Sequence, residues 1–181
     1  MGLDLVIILL LAGGFMLGFY RGAVRQLTSI GAWLVAFLLA AHLSGPAGRL
    51  LVEQAPTYSV QYATFLSFGT LFVLLLGAGA LVFQVYGANV ALTRRELLDN
   101  IIGGLSGTLL VILVIAGLLV VLDSYFAQPA PPTSAEFGVL RDAYALTLDS
   151  AIANSMRQTL IPLLGGVLGP ILPADLRTVM A

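Results

Sequence analysis

Uncharged hydrophobic stretches alternate with short charged punctuation along this chain, and the spacing predicts four membrane-spanning helices. Leu5 to Tyr20 carries no charge and is closed by Arg21. With its flanks it supplies the roughly 20 residues needed to cross a hydrocarbon core. Leu27 to Leu43 forms a second run at the short end of the spanning range. From Gln54 to Thr93 no residue is charged, and Val60 to Tyr86 within it is long enough to span with tilt. The fourth run, Asn100 to Leu122, is almost wholly aliphatic. No basic residue precedes the first run and no small-residue cleavage pattern directly follows it. It therefore reads as a retained helix and not as a signal peptide.

The pattern changes after Asp123. Gln128 to Pro132 (QPAPP) cannot continue a helix, because proline lacks the donor and clashes with the preceding turn. Thr133 stands three residues before Glu136, the spacing of a capping box. Phe137, Leu140, Tyr144, Leu148, Ile152, Met156 and Leu160 then form one apolar stripe. Arg141, Asp142, Asp149, Asn154 and Arg157 fall largely on the other side. This predicts an amphipathic helix that either lies on the membrane surface or packs on the ends of the spans. Leu160 to Ala174 is uncharged but interrupted by Pro162, Pro170, Pro173 and glycines, which predicts a re-entrant or interfacial segment. The expected fold is an all-α integral membrane protein. Residues 1–126 form four transmembrane helices, and residues 127–181 form an extracytoplasmic tail of an amphipathic helix and a Pro/Gly-broken interfacial segment.

Composition agrees with a lipid-facing exterior. Apolar residues are 59% of the chain and charged residues 9%, with mean hydropathy +1.02, against about 25% charged in soluble domains. A net charge of −1 argues against a nucleic-acid partner, which requires a concentrated basic patch. The absence of cysteine excludes disulfides, thiolate metal sites and cysteine catalysis. The placement of arginine sets the orientation. Arg21, Arg25, Arg94 and Arg95 lie between runs one and two and between runs three and four. On the other side only Arg49 stands between runs two and three, with Arg141 about 19 residues beyond the fourth run; Arg157 and Arg177 lie farther along the tail than the rule reaches. Because cytoplasmic loops are enriched in basic residues, both termini are expected outside the cytoplasm.

Small residues are the next signal. Gly14, Gly18 and Gly22 repeat every four residues, and Gly103 and Gly107 make a second GxxxG at the start of the fourth run. Such spacing lets two helix backbones approach closely, either within one chain or between copies in a homo-oligomer. Among ionisable groups, Asp4 stands at the outer edge of the first helix, where it can stay hydrated. Asp99 is placed to cap the fourth helix and to pair with the arginines on its membrane face. Asp123 has the wrong sign for the helix end it occupies. His42 stands alone and cannot make a metal site. No catalytic constellation or cofactor motif is present, so no enzymatic activity is expected.

Gly18 to His42 (GFYRGAVRQLTSIGAWLVAFLLAAH), Leu97 to Gly107 (LLDNIIGGLSG) and Val120 to Phe126 (VVLDSYF) together resemble the bacterial colicin V production protein family. The resemblance covers roughly residues 3 to 126. The family's RGxxRE-like element falls on Arg21, Gly22 and Arg25, its DxxxGxxxG element on Asp99, Gly103 and Gly107, and a following aspartate on Asp123. Gln26 replaces the usual glutamate, and Leu110–Val111 stands where many members carry a basic residue and glycine. The resemblance implies an inner-membrane protein linked to colicin production or export and to envelope homeostasis. Some relatives carry an extracytoplasmic protease domain after the fourth span; residues 127–181 are too few for one and hold no triad.

Three kinds of function fit these expectations. The first is a small scaffold or accessory factor working with envelope or export proteins. The second is an oligomeric channel or transporter for ions or small solutes, with Arg21, Arg25 and Asp99 at an entrance. The third is a membrane anchor for an enzyme supplied in trans.

Overall fold

A computed structural model describes residues 2–86, 96–128 and 137–173, with Leu176. These residues are helical, without strands. The order is α1 (Gly2–Arg21), α2 (Ala23–Gln54), α3 (Val60–Tyr86), α4 (Glu96–Phe126), α5 (Gly138–Leu148) and α6 (Ala151–Ser155). A π-helical turn (Met156–Leu160) then leads into α7 (Ile161–Leu168). Arg94, Arg95 and the Thr133–Glu136 capping box lie outside the described residues. The first four helices are each long and apolar enough to cross a membrane, as their uncharged lengths predict.

The chain divides into two compact units, residues 11–111 and residues 1–10 with 112–181. The boundary falls inside α1 and α4, so residues 127–181 share a unit with one end of each.

Within residues 11–111, α1 and α2 are joined by Gly22 alone, with φ at +81°. Its N–H donates to the Gly18 carbonyl at 2.9 Å, and with ψ at 164° it closes α1 in a conformation that is essentially glycine's alone. Helix α2 then runs on well past the predicted end at Leu43, so Arg49 belongs to a helix and not to a loop. Pro46 inside it does not end it, because membrane helices tolerate proline where surrounding structure compensates. Here α3 supplies that support. A Cβ on Gly48 would lie 2.7 Å from Thr64 Cα, so the two backbones touch two residues beyond the proline. Trp33 stacks on Phe37 at 5.1 Å, and Phe37 meets Phe68 edge-on at 5.6 Å. The helix stops at Ala55, which precedes Pro56 and has φ −134° and ψ 78°, outside the α region that a following proline disfavours.

Within residues 1–10 and 112–181, the tail folds back on the end of α4. Phe126 stacks on Tyr144 at 5.3 Å and meets Phe137 edge-on at 5.9 Å, and Phe137 is fully buried. The single amphipathic helix expected from Phe137 to Leu160 is interrupted after Leu148. Ser150 is extended there and caps α6, its Oγ accepting from Ala153 N–H. A serine competes with the helix through just such a local bond, which the apolar stripe does not register. The segment from Leu160 is more regular than its prolines suggest, because Pro162 occupies the first turn of α7, where no donor is missed.

Candidate functional site

Two constructions use the singled-out residues, one in each unit. The first is a seam between α1 and α4. A Cβ on Gly18 would collide with the Gly103 carbonyl and lie 2.9 Å from Gly107 Cα. One on Gly14 would lie 2.9 Å from the Gly107 carbonyl oxygen, and one on Gly103 would lie 2.9 Å from Gly22 Cα. The two backbones are therefore in direct contact along both GxxxG elements, which membrane helices exploit because the hydrophobic effect does not draw them together. The effect is selective. Gly13, Gly31, Gly69 and Gly77 have nothing within 4 Å of a Cβ position. Val111 lays Cγ2 over Gly14 and so closes the seam.

Asp99 ends the seam differently from expectation. Its Oδ1 accepts from Ala23 N–H at 3.1 Å, and its Oδ2 occupies the space beside Gly22 where a Cβ would stand. The carboxylate thus caps the start of α2, not its own helix, and places negative charge at α2's positive end. Gly22 makes this possible, since any side chain there would displace the carboxylate. Among the described residues, neither Arg21 nor Arg25 pairs with Asp99, and both are exposed. One turn into α2, Gln26 is buried, and its Oε1 has no hydrogen-bond partner among the described residues.

The second construction is a clasp around Asp123. Arg157 Nε lies 3.0 and 3.2 Å from the two carboxylate oxygens, and Nη2 lies 2.9 Å from Oδ1. Nη2 also donates to Thr147 Oγ1 at 2.7 Å, and Nη1 to the Thr147 carbonyl and Asn154 Oδ1. All three guanidinium nitrogens are thus used, with the Tyr144 ring 5.6 Å from Cζ. The side chains of Arg157 and Asp123 are only 17% and 9% exposed. The charge at the carboxyl end of α4 is thereby neutralised. Sequence periodicity places Arg157 on the outer, polar side; the break at Ser150 and the π turn carry it inward instead. The wrong-sign Asp123 was the available signal that a cation had to be found. Burial, then the charge of Asp123, raises the Tyr144 hydroxyl pKa above the ordinary tyrosine value, and Arg157 opposes the shift.

Beside the clasp, Asp4 is engaged and not simply hydrated. Its Oδ1 accepts from Ser150 Oγ at 2.7 Å and Ile152 N–H at 3.0 Å, tying the start of α6 to α1. His42 donates through Nδ1 to the Leu38 carbonyl at 2.8 Å, since a carbonyl can only accept. Among the described residues no group of His, Asp and Glu is arranged to hold a metal.

Comparison with known proteins places these residues in a wider set. The family model described as "Colicin V production protein" matches residues 3–169, which includes the clasp as well as the seam. A relative from Haemophilus influenzae, described as "Colicin V production protein homolog", is 30% identical over 123 residues, 68% of this chain and 74% of the relative. No solved structure matches.

Proposed function

The chain belongs to the colicin V production protein family, and from that premise we propose that it is a small membrane scaffold, an accessory factor in colicin production or export and in envelope homeostasis. One observation carries this reading. Asp4, Asp99 and Asp123, the aspartates at the ends of α1 and α4, all accept hydrogen bonds that fasten one segment to another. Intramembrane carboxylates are candidates for ion or proton pathways by default; these act as fasteners, at helix caps and in an ion pair. The protein works in the bacterial inner membrane with both termini outside the cytoplasm, as the arginine distribution favours. Its partners are further copies or other envelope and export proteins, and it performs no catalytic step of its own.

Reconstitution tests this reading. Liposomes containing the purified chain are expected to pass ions and small solutes no faster than protein-free liposomes. Flux that Asp99→Asn abolishes would overturn the scaffold in favour of a channel. Tags at each terminus should be reached by an impermeant reagent in intact spheroplasts, and a protected carboxyl terminus would reverse the orientation.

A further inference from the structure

We propose that α7 and the turn after it are a membrane-surface element whose Leu163, Val167 and Ile171 are immersed in lipid. From Gln158 to Ala174 the chain carries no charge. Bonds from Gly169 N–H to Gly165 O and from Leu172 N–H to Leu168 O carry the helical turn pattern through to Leu172. Two faces result. Ile161, Gly169 and Leu172 are buried in the protein. Leu163, Val167 and Ile171, each four residues from the next, are 63%, 68% and 56% exposed. A helix apolar all round belongs in a core or in a membrane, so the open face needs an apolar cover.

The surrounding unit identifies lipid as that cover. The segment just before α7 is fastened to the ends of two spanning helices, α6 to Asp4 of α1 and the π turn to Asp123 of α4. Those same helices present exposed Leu5, Leu9, Val114 and Leu118, side chains that a spanning helix gives to hydrocarbon. Helix α7 follows the π turn without a break and rises only about 12 Å over its length. Surface helices bury their apolar face about 5–10 Å into the headgroup and acyl boundary, so α7 stays within reach of that depth. The exposed charges Arg141 and Asp142 lie on a different helix, α5.

The absence of cysteine from the chain makes a direct test available. Leu163→Cys, Val167→Cys, Ile171→Cys and, as the aqueous reference, Asp142→Cys are labelled with an environment-sensitive fluorophore in liposomes of phosphatidylcholine and phosphatidylglycerol. Brominated acyl chains should quench the first three labels several-fold more than iodide does, and the order should reverse at residue 142. Iodide quenching at 163, 167 and 171 equal to that at 142 would overturn the proposal. So would resistance to both quenchers, which would mean that a second copy or another protein covers the face. Hydroxyl-radical footprinting of the unsubstituted chain in nanodiscs supplies a readout independent of the substitutions. Leu163, Val167 and Ile171 should be modified several-fold less in lipid than after extraction into a lipid-free amphipol, and equal modification would count against lipid cover.

Discussion

At Gly14, Gly18, Gly103 and Gly107 two helices meet backbone to backbone, with the Val111 side chain laid over Gly14 at one end. At Asp123 and Arg157 the tail meets α4 through ions and a full set of hydrogen bonds. The seam depends on shape. Dispersion between closely approaching atoms holds it, each pair contributing only about 0.1–0.2 kcal/mol, so the fit must be good along its whole length. The clasp depends on charge. Its strength is directional and local, and it is set against the desolvation of both ions. A shape-dependent contact is damaged by adding atoms, and a charge-dependent one by removing a single partner. The two kinds of substitution should therefore act selectively.

Gly18→Leu should have the largest effect, because the Gly103 carbonyl and Gly107 Cα that stand in the way are backbone and cannot rotate aside. The expected loss exceeds the ~4–5 kcal/mol that marks exceptional substitutions, read as failure to recover folded chain in mild detergent. Gly13→Leu, into open space, should leave recovery unchanged; equal damage from both would remove the seam argument. Next comes Asp123→Asn or Arg157→Gln, each of which strands the other partner. A loss of about 3 kcal/mol is expected, at the low end for breaking a buried pair because this one is partly exposed, measured by thermal unfolding. Hydrogen exchange in such a variant should rise over Ala151–Leu168 and stay unchanged in α2 and α3.

Smaller effects sharpen the contrast. Gly22→Ala forces a Cβ onto an essentially glycine-only backbone, at about 1–3 kcal/mol, and also into the Asp99 carboxylate. It should cost more than Asp99→Ala, which removes only a cap of about 1 kcal/mol. Ser150→Ala should cost about 1 kcal/mol and loosen α6 together with its tie to Asp4. The pH effect comes last. The folded-state pKa of Tyr144 is raised, so its contribution to stability is complete below the ordinary tyrosine pKa of 10.0 and is lost as pH climbs through the raised value. Tyr144→Phe should remove that alkaline decline, and tyrosinate absorbance should show one late-titrating tyrosine disappear.

How much of this was legible follows from which forces the sequence displays. The four spans could be read because uncharged length is itself the physical requirement for crossing lipid. The glycines could be read because a four-residue repeat fixes a common helix face whatever it meets. Which partner each carboxylate would take could not be read. Asp99 caps α2 and not α4 because Gly22 brings the start of α2 to it, and no local spacing encodes that meeting. The tail periodicity put Arg157 outside because it assumed one helix. The Ser150 cap, bonded to Asp4 in a distant part of the sequence, breaks that helix and turns the arginine in. The second run was likewise read only as far as Leu43, whereas contact with α3 at Gly48 carries α2 on to Gln54.

Thermal unfolding of two variants beside the unsubstituted chain tests the division between shape and charge most directly. Gly18→Ala adds one methyl group to the seam. The double variant Asp123→Leu with Arg157→Met replaces both ions of the clasp by apolar groups, an exchange that is often neutral or stabilising. Gly18→Ala should lower the midpoint by more than the double variant does. A double variant that unfolds at lower temperature than Gly18→Ala would contradict the account, because the fold would then rest on the ion pair and not on the glycine contact.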